Sequence, residues 1–191
     1  MPNVVIAAGG TAGHVVPALA IADELRDRGV TVSFLGARGR LEAELVPKAG
    51  YEVDLLDLSG IDRKNPVKAA RAAFQAAAAI PKARKLIKAR GADAVVGGGG
   101  FVAGPGGVAA RRLKLPLVLT EADRHLGLAN RLLARRADRV CLAFEIDGVG
   151  GENVRITGRP VGRAVLNADR GKARARFGIA PDARTLLVVD E

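Results

Sequence analysis

Cysteine and aromatic residues are scarce in this chain of 191 residues. It has one cysteine (Cys141), no tryptophan and one tyrosine, and aromatic residues make up 3% of it. A lone cysteine cannot close an internal disulfide, and with only His14 and His125 beside it the chain offers few ligands for structural zinc. We therefore expect a reducing, cytoplasmic setting and no bound metal. Proteins that bind single-stranded nucleic acid stack bases on aromatic platforms, so nucleic acid is not an expected partner.

Long apolar runs and an export signal are also missing. The longest candidate, residues 72–80, is broken by Gln75 and followed by Pro81, whereas a spanning helix needs roughly 18 apolar residues. The opening MPNVVIAAGG lacks the basic start of a signal peptide, so export is not expected. Positive charge is in excess, since 30 Lys and Arg against 20 Asp and Glu give +10. This balance favours a phosphorylated ligand or an anionic lipid surface as a partner.

Apolar runs alternate with helical patterns along the chain. Six short β-rich runs stand out: VVIAA, VTVSFLG, YEVDLLDL, ADAVVGGGG, LPLVLTE and ADRVCLA. The segments between them carry apolar residues at helical spacing, which predicts an α/β fold with a Rossmann-like parallel sheet and helices on both faces. Pro81 is expected to separate two helices within residues 67–90. Ligands of such sheets bind at the carboxyl ends of strands, so the loops after Ala8, Val96 and Leu119 are the candidate sites.

The last residues predict the beginning of another unit. The alternation weakens after residue 163, a short helix is expected within RGKARARFG, and TLLVVDE (residues 185–191) has the pattern of a further strand. We therefore expect an N-terminal domain over residues 1–163, followed by a linker and the start of a second domain over residues 164–191. Such a chain is expected to be a fragment that is inactive by itself.

A glycine loop, GGTAGH, joins the first strand to the first helix at residues 9–14. Glycines allow a sharp turn and close approach of a ligand, and the N–H groups of the following helix attract anions, so the loop fits a phosphate or a sugar. A tight turn needed for steric reasons explains it nearly as well. His14 favours a functional role because a histidine can accept a proton from a substrate hydroxyl near neutral pH. The alternative is a histidine that merely caps the helix start.

A second glycine-rich loop, GGGGFVAGPGG, follows the fourth strand at residues 97–107. It builds a backbone surface rich in N–H donors, and two such loops at one sheet edge are a stronger signal than either alone. Gly98, Gly100 and Ala103, with Glu121 about 20 residues later, also loosely match the dinucleotide-binding pattern.

Two carboxylates, Glu121 and Asp123, stand at the end of the fifth strand in the sequence TEAD. They are placed to orient a ligand hydroxyl or a cationic group. The alternative is a solvated Glu121 and a helix N-cap formed by Asp123.

Four segments together resemble the N-terminal domain of the MurG-like glycosyltransferases of family 28. They are GGTAGHVVPALAIADEL, GGGGFVAGPGGVAA, TEADRHLGLANRLLARRADRV and TGRPVGR, in this order, and the resemblance runs from residue 3 to about residue 163. It implies the N-terminal half of a two-domain GT-B fold. It also implies transfer of N-acetylglucosamine from UDP-N-acetylglucosamine to lipid I in peptidoglycan synthesis, with the acceptor on this half and most of the nucleotide sugar on the other.

The resemblance also implies roles for individual residues. The two glycine loops hold the diphosphate of the lipid-linked acceptor, His14 is the base, Glu121 is a second catalytic residue, and neither a metal nor a cofactor takes part. The implied acceptor contacts are Gly9, Gly10, Thr11, Gly13, His14, Gly99, Gly100, Phe101, Gly104 and Pro105. The implied contacts to the UDP-sugar donor are Thr11, Gly13, Asp123, Asn130 and Arg163.

Two motifs depart from the family pattern. The family's HEQN motif aligns with residues 120–123, where TEAD retains only Glu121. The family's GNPVR hinge aligns with residues 158–162, which are GRPVG here, so the arginine is displaced to Arg163. These differences leave open a related UDP-sugar transferase with another acceptor or sugar.

The segment 67–90 fits the family's membrane-facing part. We expect a cytoplasmic protein peripheral on the inner face of the cell membrane, with apolar side chains in the interface and cations on an anionic headgroup surface. The expected membrane residues are Phe74, Ile80, Lys82, Arg84 and Lys85. An Ala-rich packed helix with a solvated basic face explains the same pattern equally well.

Two further hypotheses for the function remain open at this point. One is a noncatalytic acceptor-binding or membrane-docking subunit of a split glycosyltransferase. The other is a nucleotide-binding Rossmann module that uses Gly98, Gly100, Ala103 and Glu121.

Overall fold

The fold is built from strands and helices that alternate along the chain, in a computed structural model that describes residues 1–60 and 65–188. The strands are β1 (Asn3–Ala7), β2 (Thr31–Ala37), β3 (Glu52–Leu56), β4 (Ala94–Gly97), β5 (Leu117–Glu121), β6 (Arg139–Leu142) and β7 (Val154–Ile156). The helices are α1 (Ala12–Asp27), α2 (Glu42–Lys48), α3 (Pro66–Ala89), α4 (Ala103–Arg112), α5 (Leu128–Leu133), α6 (Arg163–Leu166) and α7 (Arg170–Arg176). A short 3-10 helix follows α5 at Ala134–Arg136.

All the strands pair in parallel in one sheet, in the order β3-β2-β1-β4-β5-β6-β7. The predicted Rossmann-like α/β fold is thereby confirmed. In this order β1 lies between β2 and β4, so the chain runs outward from β1 in both directions. The point where the strand order reverses lies between β1 and β4, and open parallel sheets bind their ligands in the crevice at this point.

Apolar residues cover both faces of the sheet. On one face α1 and α2 pack against β1 and β2 through residues that include Ile6, Val15 and Phe34. On the other face α3, α4 and α5 pack against β4, β5 and β6 through residues that include Ile87, Leu117 and Leu119. Strands that are buried on both faces are near-continuous apolar runs, which is why the sequence pattern predicted them well.

The helix α3 differs from the prediction, because it continues through Pro81 without a break. Its buried residues Ala72, Ala79, Ala83 and Ile87 lie on one face, and the helix packs against α4. Pro81 is exposed on the outer side, where water can reach the carbonyl that loses its hydrogen bond. Tertiary packing of the inner face therefore outweighs the helix-breaking tendency of one proline.

The outer face of α3 carries the residues expected to meet a membrane. Phe74 is 75% exposed, and Arg84 and Lys85 are exposed as well. Ile80 is only half-buried, and the Lys82 ammonium donates a hydrogen bond to Asp57 Oδ2 at 3.1 Å. Within the described residues no helix is long and apolar enough to cross a membrane.

The end of the chain also differs from the prediction. The sequence pattern missed β7 and α6, which are short, and it predicted a strand over residues 185–191. Residues 185–188 form no strand and are largely exposed, and residues 189–191 lie outside the described part. The proposed domain boundary at residue 163 stays a prediction.

The segment after β7 returns to α1. The Arg163 guanidinium forms ion pairs with Glu24, at 3.3 Å, and with Asp27. A groove of about 320 Å³ lies between α1 and this segment, lined by residues that include Ile21, Pro160 and Leu166.

Candidate active site

The two glycine loops meet at the point where the strand order reverses. The loop after β1 and the loop after β4 are neighbours because β1 pairs with β4, and the Gly98 N–H donates to the Ala7 carbonyl at 2.9 Å. Gly100 has φ of +73°, and a Cβ at this position would overlap the Gly9 carbonyl oxygen. The loops therefore touch backbone to backbone, and only glycine fits at this contact.

His14 lies in the first turn of α1, between these loops. Its half-buried ring packs against Gly99, where a side chain would collide with the ring. The Nδ1 atom is 3.0 Å from the hydroxyl oxygen of Thr11. Nδ1 is thus bonded within the protein, and Nε2 is left for other partners. When the hydrogen of the neutral ring is on Nδ1, Nε2 has a free lone pair and can accept a proton.

A buried carboxylate, Glu42, holds the first glycine loop from below. Its side chain is fully buried and accepts hydrogen bonds from the Gly10 N–H at 3.0 Å and the Ala37 N–H at 2.9 Å. The Gly10 N–H is therefore used by the protein. Glu42 was not among the predicted residues, because a glutamate at the start of a short helix is typically solvated.

An aromatic side chain, Phe101, closes the space between the loops. Its ring lies 2.8 Å from where a Cβ of Gly10 would be and 3.6 Å from the equivalent point of Gly60. The Arg40 guanidinium lies over the ring, 5.9 Å from its centroid. The loop between β2 and α2 thus forms a further wall of the site, which the sequence patterns did not indicate.

Glu121 points into the protein. It is 5% exposed, and its Oε2 accepts hydrogen bonds from the Gly127 N–H at 2.8 Å and the Asn130 amide at 3.0 Å. Asn130 is 1% exposed and also donates to the Thr120 carbonyl at 2.9 Å. The alternative of a solvated Glu121 is therefore wrong, and so is that of an Asp123 N-cap, because the N-cap of α5 is Gly127. A direct role of Glu121 or Asp123 toward a ligand stays a prediction. The pair instead fixes the loop 122–127.

A small cleft of about 20 Å³ lies beside these loops. It is lined by Gly13, Pro17, Gly98, Thr120, Glu121, Ala122, Cys141, Thr157, Gly158 and Pro160. Burial raises the pKa of the Cys141 thiol, so this side chain stays protonated at neutral pH. Across the described residues no group of three or more His, Cys, Asp or Glu side chains is arranged to hold a metal ion.

The structure brings together most of the predicted acceptor residues and separates others from them. The residues around the contact of the two loops are Gly9, Gly10, Thr11, Gly13, His14, Gly99, Gly100 and Phe101. Pro105 is buried within α4, and Gly104 lies against Ala129 of α5. Of the predicted donor contacts, Asp123 is exposed, Asn130 is buried, and Arg163 is paired with α1. Individual roles for all of these residues stay predictions.

The family follows from comparison with known proteins. Residues 4–142 match the model of the glycosyltransferase family 28 N-terminal domain. This chain belongs to glycosyltransferase family 28. A relative from Pseudomonas putida (strain W619) is named UDP-N-acetylglucosamine–N-acetylmuramyl-(pentapeptide) pyrophosphoryl-undecaprenol N-acetylglucosamine transferase. It is 45% identical over 179 residues, which are 92% of this chain and 50% of the relative.

Other relatives of this family 28 chain agree. A Mycolicibacterium smegmatis protein with the same name is 43% identical over 197 residues, covering 97% of this chain and 51% of the relative. The chain thus spans about half the length of the curated relatives it matches. The crystal structure of Acinetobacter baumannii MurG is similar with a TM-score of 0.73 and 36% identity, over 84% of this chain and 46% of that one.

A more distant structure shares the fold of the family 28 domain. The calicheamicin glycosyltransferase CalG4 matches with a TM-score of 0.60 and 16% identity, over 83% of this chain and 53% of that chain. This likeness shows the fold alone. Membership of family 28 speaks against a dinucleotide-binding module, and the Glu121 carboxylate that such a module would use is already bonded to Gly127 and Asn130.

Proposed function

We propose that this chain is the acceptor-binding domain of an enzyme that transfers N-acetylglucosamine from UDP-N-acetylglucosamine to a diphosphate-linked N-acetylmuramyl-pentapeptide lipid. The names of the relatives state this donor and this acceptor. The observation that carries the proposal is the contact between the two glycine loops beside His14, at the ligand-binding crevice of the sheet. N–H groups of the loops and the start of α1 suit the acceptor's diphosphate.

In this proposal His14 is the general base of an inverting transfer. Its Nε2 takes the proton of the acceptor hydroxyl while that oxygen forms a bond to the anomeric carbon. The bond from this carbon to the diphosphate of UDP breaks, and its electron pair leaves with UDP. For Nε2 to accept, Nδ1 must carry a hydrogen, which it donates to Thr11 Oγ1. Thr11 thus orients the base, and Glu121 acts by positioning the loop 122–127.

The role of His14 is tested in the protein expressed from its complete reading frame. We expect transfer of labelled N-acetylglucosamine from its UDP ester to a soluble lipid I analogue, and His14→Ala should lower kcat about 100-fold or more. The matched control is His125→Ala, because His125 is exposed and outside the contact of the loops; it should retain wild-type kcat.

Other outcomes separate the alternatives. Equal rates for His14→Ala and wild type would remove the base assignment. Transfer to a different acceptor lipid, and not to the lipid I analogue, would favour the related transferase. A complete protein that binds the acceptor analogue but neither binds nor turns over UDP-sugar would favour the noncatalytic subunit.

We also propose that the outer face of α3 docks on the inner face of the cell membrane. Phe74 supplies an exposed apolar ring, and Arg84 and Lys85 supply exposed cations about three turns further along the helix. Each cation near an anionic surface contributes about 1 kcal/mol. Neutralising both, as Arg84→Gln with Lys85→Gln, should weaken binding to phosphatidylglycerol vesicles roughly 30-fold in a sedimentation assay.

The control for membrane docking removes the same charge elsewhere. Arg135→Gln with Arg136→Gln changes two exposed cations of the 3-10 helix. If both double variants lose vesicle binding equally, the attraction depends on net charge alone and α3 is not the docking face.

A further inference from the structure

The side chain of Arg40 is an exposed cation at the mouth of the candidate site. It lies in the loop between β2 and α2, and within residues 1–60 and 65–188 its guanidinium makes no ion pair or hydrogen bond. Arg38, two residues earlier, is different, because it pairs with Asp57 at 2.9 Å. The two arginines are therefore a natural comparison within one loop.

The loop that carries Arg40 is anchored next to it by the side chain of Glu42. The Glu42 carboxylate links the end of β2, through the Ala37 N–H, to the first glycine loop, through the Gly10 N–H. It packs so closely that a Cβ at Gly36 would lie 2.7 Å from Glu42 Cγ. The Glu42 side chain thus links the loop that carries Arg40 to the first glycine loop.

Phe101 supports the guanidinium from the other side. The ring packs on Gly10 and Gly60 and presents a face to Arg40, whose Cζ is 5.9 Å from the ring centroid. A planar guanidinium over an aromatic face is held by cation–π attraction and keeps its edge N–H groups directed outward. Its donors are therefore available beside Phe101, which follows Gly100 in the second glycine loop and packs on Gly10 of the first.

A cation at this place would strengthen the binding of a doubly charged ligand. The glycine loops contribute N–H dipoles, but the Gly10 N–H is already bonded to the buried Glu42 and is not free for a ligand. A positively charged side chain beside the loops adds Coulombic attraction to that of the remaining dipoles. Arginine is the side chain that matches phosphate oxygens with two parallel hydrogen bonds.

We propose that Arg40 binds phosphate oxygens of a diphosphate ester held at the contact of the two glycine loops, with Phe101 as its support. This inference rests on the proposed function, which supplies two diphosphate esters, the lipid-linked acceptor and the UDP-sugar. Either one offers the chemistry that Arg40 recognises.

Steady-state kinetics of the protein from its complete reading frame distinguish the two sources. Arg40→Gln should raise the KM of one substrate about tenfold or more, with kcat changed little, because the lost interaction exists before and during the reaction. A higher KM for the lipid analogue assigns Arg40 to the acceptor, and a higher KM for the UDP-sugar assigns it to the donor. Arg40→Lys should raise the same KM less than Arg40→Gln does. The lysine keeps the charge, but its ammonium cannot stack on the Phe101 ring as a planar guanidinium does or form two parallel hydrogen bonds to a phosphate.

The control is Arg38→Gln, which removes the same charge from the same loop and should leave both KM values unchanged. Both variants replace exposed side chains, so their melting temperatures should match that of the wild type. Unchanged KM values for both substrates in Arg40→Gln would overturn the inference while leaving the proposed function intact.

A binding measurement keeps the inference testable if no transfer is found. Inorganic pyrophosphate titrated into the same protein by calorimetry should bind about tenfold more weakly to Arg40→Gln than to wild type or Arg38→Gln. The difference should shrink at high salt. This result would support Arg40 as a diphosphate ligand even if the proposed transfer failed. Pyrophosphate binding that is absent, or equal in all three proteins, would overturn the inference.

Discussion

Glu42 shows how one side chain connects loops that are far apart in the sequence. The carboxylate is fully buried, and each of its oxygens accepts one backbone N–H, from Gly10 and from Ala37. Burying a carboxylate is costly unless its oxygens accept hydrogen bonds. Here the two backbone N–H groups offset that cost, and the carboxylate in turn gives both buried N–H groups an acceptor.

Glu42→Gln should destabilise the fold by about 1–3 kcal/mol, because the amide NH₂ cannot accept and leaves one buried backbone N–H without a partner. Urea unfolding followed by circular dichroism measures this difference. Glu44→Gln is the control on the same helix, since Glu44 is exposed and pairs with Lys48. Equal midpoints for the two variants would mean that the hydrogen bonds of Glu42 do not stabilise the fold.

At this scale the sequence predicted that the two glycine loops lie at one edge of the sheet beside His14, but it did not indicate the contacts of Glu42 or Arg40. The glycine loops are contiguous motifs next to a strand and a helix, so their chemistry is visible locally. Glu42 and Arg40 gain their meaning from partners 32 and 61 positions away, Gly10 and Phe101. A contact of this kind leaves no local pattern.

Among the elements, the contact between the two glycine loops is the tightest point of the site. Gly100 of one loop lies against the Gly9 carbonyl of the other, and the ring of His14 fills the adjacent space. Their mutual position therefore depends on the absence of side chains at the contact.

Gly100→Ala should cost about 1–3 kcal/mol more than Gly148→Ala. Both glycines have nearly the same φ, +73° and +72°, so the conformational strain of alanine is shared, but a Cβ at Gly148 meets nothing within 4 Å. Thermal unfolding of the two variants isolates the steric contribution. A Gly100→Ala protein as stable as Gly148→Ala would show that the loops can separate at little cost.

The elements that the sequence predicted less well are the ones decided by their surroundings. Pro81 would end an isolated helix, and α3 continues through it because its alanine face packs on α4. At three residues, β7 is too short for a periodic pattern, and its pairing with β6 defines it. Residues 185–188 have a strand-like composition, but the described part of the chain gives them no strand to pair with.

At the scale of the whole molecule, the chain returns from β7 to α1, and this contact is the point from which α6 and α7 extend. Arg163 ties this segment to Glu24 and Asp27, and beyond it α6 and α7 are mostly exposed. These pairs cross an otherwise open groove.

Arg163→Ala should speed cleavage by chymotrypsin after Leu166 and Phe177, because loss of the ion pairs frees the segment from α1. Arg159→Ala, an exposed arginine four residues earlier, is the control for removing a charge. Cleavage is measured by mass spectrometry at low protease concentration. Identical cleavage rates in wild type and Arg163→Ala would mean that the ion pairs do not hold the segment.

The space around the Glu42 carboxylate limits how this enzyme family can be engineered. A Cβ at Gly9 would collide with the carboxylate and one at Gly36 would lie 2.7 Å from Cγ, so these three positions can be exchanged only as a set. Gly13 is exposed on the same loop and meets only the Thr11 hydroxyl, at an ordinary contact distance of 3.6 Å. A mutant library in this loop will therefore keep more folded members when it randomises position 13 and spares position 9.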